Sequence, residues 1–98
     1  MDIQIVSMPI PLFSSEICIA TPDALEWLKA RKVHPHSLLD RHFFGDGGEL
    51  CDDDKEANAY AIDHGERVLS CYKIGGEKVY VITEWDRSVT TVLMASEY

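Results

Sequence analysis

The chain has 98 residues, 46% of them hydrophobic and 27% charged, with 17 acidic side chains against nine lysines and arginines, so its formal net charge is −8. That length makes a single domain with one core and little room for a deep cavity, and the acidity repels nucleic-acid phosphates, which argues against direct DNA or RNA binding. No apolar run approaches the roughly 18 residues that cross a bilayer, Met1-Asp2-Ile3-Gln4 lacks a secretory pattern, and Cys18, Cys51 and Cys71 do not read as a disulfide framework; the expectation is a cytoplasmic protein with reduced thiols and no membrane contact.

In chain order, Ile3 and Ile5 alternate with Gln4 and Ser7, which predicts a short strand over 2–7. Pro9 and Pro11 cannot continue it inside a sheet. Residues 12–20 are apolar, irregular and extended in character. Thr21-Pro22-Asp23 starts a helix: Thr21 can cap, proline suits the first position, and Asp23 meets the positive end of the dipole. Its apolar face is expected to hold Leu25, Trp27 and Leu28. Lys29, Arg31 and Lys32 load its last turn, and His34-Pro35 ends it. A second helix is predicted from Pro35 to about Phe43, with Leu38, Leu39 and His42 at helical spacing.

The run Gly45-Asp46-Gly47-Gly48 defeats regular structure and reads as a loop. A third helix follows over 51–64, opened by Asp52-Asp53-Asp54 and closed by Gly65. Ala57, Tyr60, Ala61 and His64 are its expected buried stripe. Residues 67–74, 77–83 and 89–94 are rich in Val, Ile and Tyr, with Gly75-Gly76 as a two-residue hairpin turn. The fold class read from this pattern is α+β: two or three helices packed on a three-stranded antiparallel C-terminal meander, to which an N-terminal strand can be added.

Two segments concentrate chemistry. Residues 46–56 hold six of the 17 carboxylates. Oxygen-rich glycine loops can hold hard cations, but the calcium-loop spacing is missing here, and an acidic first turn stabilises a helix without any ligand. Thr83-Glu84-Trp85-Asp86-Arg87-Ser88 is the second, a charged aromatic turn between apolar strands. Trp and Arg dominate interface hot spots, and Glu84 and Asp86 can hold the Arg87 fork for bidentate recognition. Equally, Arg87 can serve as an internal clamp on loop carbonyls, with Ser88 capping the turn. His34-Pro35-His36 is a local hint of metal binding without the paired spacing zinc sites show. Ser70, Ser88 and the cysteines lack a nucleophile-elbow or cysteine-protease context. No catalytic residue, metal ligand or cofactor is assigned.

A longer pattern runs through His42, Gly45-Asp46, Gly48-Glu49-Leu50, Asp54, Asn58, Gly65, Arg67-Val68-Leu69-Ser70, Tyr72, Ile82-Thr83-Glu84, Asp86-Arg87-Ser88, Thr90-Thr91 and Glu97-Tyr98. Over residues 21–98 it resembles a family of short plasmid-related proteins, carried on plasmids and integrated elements and often labelled as a restriction-modification subunit. Its most specific part is 82–91. The chain departs from that pattern at Gly47, where the family shows tryptophan, and at Trp85, where it shows alanine. The length admits no methyltransferase domain, so the restriction label does not transfer.

What the resemblance implies is a mobile-element context, and with it a non-enzymatic acidic protein that binds a host nucleic-acid-handling defence complex, as an anti-CRISPR or anti-restriction inhibitor. The expected contact residues are Asp46, Glu49, Asp52, Asp53, Glu84, Trp85, Asp86 and Arg87. Two alternatives stand beside it: a small metal- or histidine-dependent hydrolase using His42, Asp46 and Glu84, and a self-associating accessory protein forming a homo-oligomer.

Overall fold

Alternating β-branched residues and the Gly75-Gly76 step organise the C-terminal third. In the computed structural model, which describes residues 3–4 and 10–98, β2 (Val68–Ile74) and β3 (Glu77–Thr83) pair antiparallel from Ile74↔Glu77 back to Val68↔Thr83. Gly75 and Gly76 sit at φ 61° and 86°, the left-handed pair that a two-residue hairpin needs to match strand twist. A Cβ on Gly76 would meet nothing within 4 Å, so Gly76→Ala is expected to cost only backbone strain, about 1 kcal/mol in a urea melt. β4 (Val89–Met94) adds to the other side of β3, with Val81 opposite Val92. The meander matches the sequence reading, with its strand boundaries within one residue of those expected.

An N-terminal strand is added to the meander, as expected, but other residues form it. The predicted strand over 2–7 lies largely outside the described residues, and Ile3 and Gln4 are not in a strand. Instead β1 (Ile17–Ala20) pairs in parallel with β4, giving the order β1-β4-β3-β2. Ile17 and Thr21 donate their amides to Ser88 and Val92 carbonyls, which seats the strand on the β4 edge.

The helices follow their caps. α1 (Pro22–Ala30) begins where the Thr21 hydroxyl accepts the Ala24 amide at 3.1 Å. It buries Ala24 and Leu28, while Leu25 is exposed; Trp27 is half-buried and donates to the Ile74 carbonyl at 2.8 Å. α2 (Pro35–Phe43) buries Leu38, Leu39 and His42. α3 (Asp52–His64) ends on Gly65 at φ 67°, as expected.

Its buried face is a correction. Ala61 is the buried residue, flanked by half-buried Asn58 and Ile62, while Ala57, Tyr60 and His64 point to solvent. Asn58 turns the helix: its amide donates to the Leu69 carbonyl at 2.5 Å and accepts the Leu69 amide at 3.2 Å, fastening α3 to β2.

Strand alternation divides the sheet into two faces. Val68, Ser70, Tyr72, Val79, Val81, Thr83, Thr90, Val92 and Met94 share the face that the helices cover, and the core forms there between the sheet, α1 and α2. The opposite face carries Ile17, Ile19, Leu69, Tyr80, Ile82, Thr91 and Leu93. No helix among the described residues is long and apolar enough to cross a membrane.

Candidate protein-binding surface

The turn between β3 and β4 is built around Arg87. Its backbone lies at φ 61°, a conformation that L residues seldom adopt and that must be held by its surroundings. The backbone amide of Arg87 donates to the Glu84 carbonyl and its carbonyl accepts the Glu16 amide, both at 3.0 Å, and the guanidinium adds to that hold. It donates to the Glu66 carbonyl at 2.6 Å, the Ala61 carbonyl at 3.0 Å and the Glu84 carbonyl at 3.2 Å. Ala61 lies in the last turn of α3 and Glu66 just beyond it, so the cation also sits at the negative end of the helix dipole. Asp86 fixes the other half of the turn by accepting the Ser88 hydroxyl at 2.6 Å and the Ser88 amide at 3.0 Å, and these bonds hold its carboxyl below the usual carboxylate range. Asp86, rather than Ser88, is therefore the capping side chain. Glu84 faces Arg67 at 3.7 Å.

The result is a turn whose own groups satisfy one another and whose one large side chain does not join them. Trp85 is 67% exposed. A tryptophan presented on an immobilised turn keeps its apolar area available for a partner, at little further ordering cost on contact.

Asp46 is an internal pin of its own loop. Its carboxylate accepts Arg41 Nε at 2.7 Å and the Gly48 amide at 2.9 Å, and the Arg41 hydrogen bond, more than anything else, draws its pKa down. The Gly48 segment then pairs with β2 in a single parallel bridge to Cys71, and the Glu49 amide donates to the Cys71 carbonyl at 2.7 Å. The side chains of Glu49, Asp52 and Asp53 stand in solvent at the start of α3.

The eight expected contact residues thus fall at two ends of one helix. Asp46, Glu49, Asp52 and Asp53 gather at its N-terminus, and Glu84, Trp85, Asp86 and Arg87 at its C-terminus, a helix length of about 20 Å apart. Between them, Asp53, Glu56, Ala57, Tyr60 and His64 recur at three- and four-residue spacing, all exposed, with the Tyr60 and His64 rings stacked at 3.8 Å. This outward face of α3 joins the two segments. The sequence reading missed it because it assigned Tyr60 and His64 to the core.

A second constellation is buried. His42 is fully enclosed; its Nδ1 meets Ser70 Oγ at 2.6 Å and its Nε2 meets Thr83 Oγ1 at 2.8 Å. Thr83 and Thr90 hydroxyls are 2.7 Å apart, and Ser15 closes the chain on Thr90 at 2.7 Å. Burial, with the Arg87 cation nearby, lowers the imidazole pKa to about 4, so it is neutral at pH 7 and each ring nitrogen has a hydroxyl partner. His42 and Ser70 also form part of the wall of a cleft of about 260 Å³ with Leu12, Lys55, Asn58 and Ile62.

The three residues of the hydrolase alternative are each engaged elsewhere: His42 with the two hydroxyls, Asp46 with Arg41 and Gly48, and Glu84 with Arg67. Among the described residues, no three His, Cys, Asp or Glu side chains converge as a metal site. Comparison with protein-family models, with curated proteins and with solved structures found no match.

Proposed function

We propose that the protein is a non-enzymatic acidic binding module whose partner is a basic, nucleic-acid-handling protein, met through the outward face of α3 and the Trp85 turn. The exposure of Trp85 on a turn held by Arg87 and Asp86 is the observation that carries this reading. Beside it, the carboxylates of Asp52, Asp53 and Glu56 supply a field complementary to a cationic channel, where they can stand in for phosphates. The sequence resemblance supports a mobile-element origin and, within this class, an inhibitor of a host defence complex.

The test is capture of the tagged protein on host lysate at low and at moderately raised salt, with and without excess duplex DNA, followed by mass spectrometry. The expected result is enrichment of a nucleic-acid-handling complex that salt and DNA both displace. Enrichment indifferent to both, or none, would count against it. With the partner in hand, Trp85→Ala is expected to weaken binding by about 2 kcal/mol, roughly 30-fold, while leaving the urea midpoint within error. Asp52→Asn with Asp53→Asn should slow association and flatten its salt dependence, with a smaller effect on dissociation.

A further inference from the structure

We infer that β1 is the edge through which two copies of this chain associate, forming an antiparallel β1–β1 pair about a two-fold axis at Cys18. This interface is separate from the acidic surface proposed above and does not depend on it.

Three observations lead there. The first is the direction of the backbone groups. Ile17 and Thr21 donate toward β4, so the alternation of a strand turns the amides and carbonyls of Cys18 and Ala20 to the outer edge. Among the described residues, no strand pairs with that edge. An open edge is a template for another strand unless charge, proline or a cover blocks it.

The second is the side-chain pattern. Ile17 and Ile19 are 58% and 51% exposed and project from the sheet face opposite the helices. Ile17-Cys18-Ile19 reads the same in both directions. An axis at Cys18 therefore sets Ile17 of each copy against Ile19 of the other and Cys18 against Cys18. Four half-exposed isoleucines become two cross-strand pairs, the unit that stabilises sheets. The outward Cys18 groups make its pair the hydrogen-bonded kind, and the two four-stranded sheets become continuous.

The third is charge. Two molecules of net charge −8 repel except where their contact is neutral. From residue 3 to residue 22 the only charged side chain is Glu16, so β1 lies in the least charged stretch of the sequence. This favours a second copy over a basic partner, which would seek the carboxylates instead.

The geometry supplies its own reporter. In a hydrogen-bonded antiparallel pair the facing Cα atoms are about 5.5 Å apart, inside the ~4.4–6.8 Å range that a disulfide spans. Cys18 is exposed and free, and exposed Cys51 serves as an internal control. On treatment with diamide, the two Cys18 thiols give up two electrons and two protons to the diazene and form one S–S bond.

The experiment is sedimentation equilibrium of the reduced full chain over micromolar to hundreds of micromolar concentration, paired with diamide cross-linking. The expected result is reversible dimerisation and a covalent dimer that survives Cys51→Ser and is lost in Cys18→Ser. Cys18→Ser itself should still dimerise when reduced. Ile19→Lys, at a solvent-facing position that leaves the monomer fold intact by circular dichroism, is expected to weaken association at least tenfold. A monomer at the highest concentration overturns the inference, as does dimerisation that Ile19→Lys leaves unchanged or a cross-link that runs through Cys51.

Discussion

Acidification from pH 6.5 to pH 4 is expected to remove about 3 kcal/mol of folding stability through His42 alone. The imidazole sits at about 4 in the folded chain against 6.5 for an ordinary histidine, because burial penalises its cation and Arg87 repels it. The unfolded chain therefore binds the extra proton throughout that window. Stability contributed by the neutral ring is complete above pH 6.5, falls as pH drops toward 4, and changes no further below that. Asp46 and Asp86, whose pKa values are lowered in the fold, lose their contributions only at more acid pH. Urea melts at successive pH values read the slope directly. His42→Gln retains a hydrogen-bonding side chain but cannot titrate, so its stability should be nearly flat over the same window. An unchanged slope in that variant would assign the acid sensitivity elsewhere. At pH 7, His42→Ala is expected to cost about 3 kcal/mol, since it opens a void and strips a partner from the Ser70 and Thr83 hydroxyls.

His42 also shows where sequence reasoning stops. Its spacing with Leu38 and Leu39 placed it correctly on the inner face of α2, and nothing local said that it would meet Ser70 and Thr83. Those hydroxyls lie 28 and 41 residues away and face it only because β2 and β3 pair in the observed register. Features set by local stereochemistry were legible: the Thr21 cap, the Gly75-Gly76 turn and the stop at Gly65 each depend on a few adjacent residues. β1 was not, because four residues with three exposed carry no alternating pattern, and their order comes from β4, 72 positions along the chain in the Ile17↔Val89 pairing.

The face of α3 was misread for a related reason. Asn58 is polar and lies outside the expected stripe of Ala57, Tyr60, Ala61 and His64, yet its amide is the group that fastens the helix to Leu69. Placing Asn58, Ala61 and Ile62 inward turns Tyr60 and His64 outward and creates the surface that joins the two expected contact segments. Of those segments, the turn was read as either a recognition fork or a carbonyl clamp. The carbonyls that decide this, on Ala61 and Glu66, belong to a helix end distant in sequence.

Arg87→Ala is expected to destabilise the domain by about 2–3 kcal/mol and to free the Trp85 turn. The change removes charge-assisted hydrogen bonds to the Ala61 and Glu66 carbonyls and leaves the Glu84 carbonyl without this donor. It also leaves a Cβ-bearing residue at φ 61° held only by its backbone hydrogen bonds to the Glu84 carbonyl and from the Glu16 amide. Arg87→Gly loses the same hydrogen bonds without that strain, so it should be about 1 kcal/mol more stable than Arg87→Ala. The order wild type, then Gly, then Ala separates the clamp from the conformation it enforces, and chemical denaturation of the three proteins measures it. If Ala and Gly melt together, the backbone at 87 relaxes when the guanidinium leaves, and the side chain is what keeps that residue at positive φ. Binding adds a second readout. Both variants keep Trp85, so a loss of partner affinity in Arg87→Gly beyond its loss of stability would show that holding the indole in place, as well as having it, sets the strength of the contact.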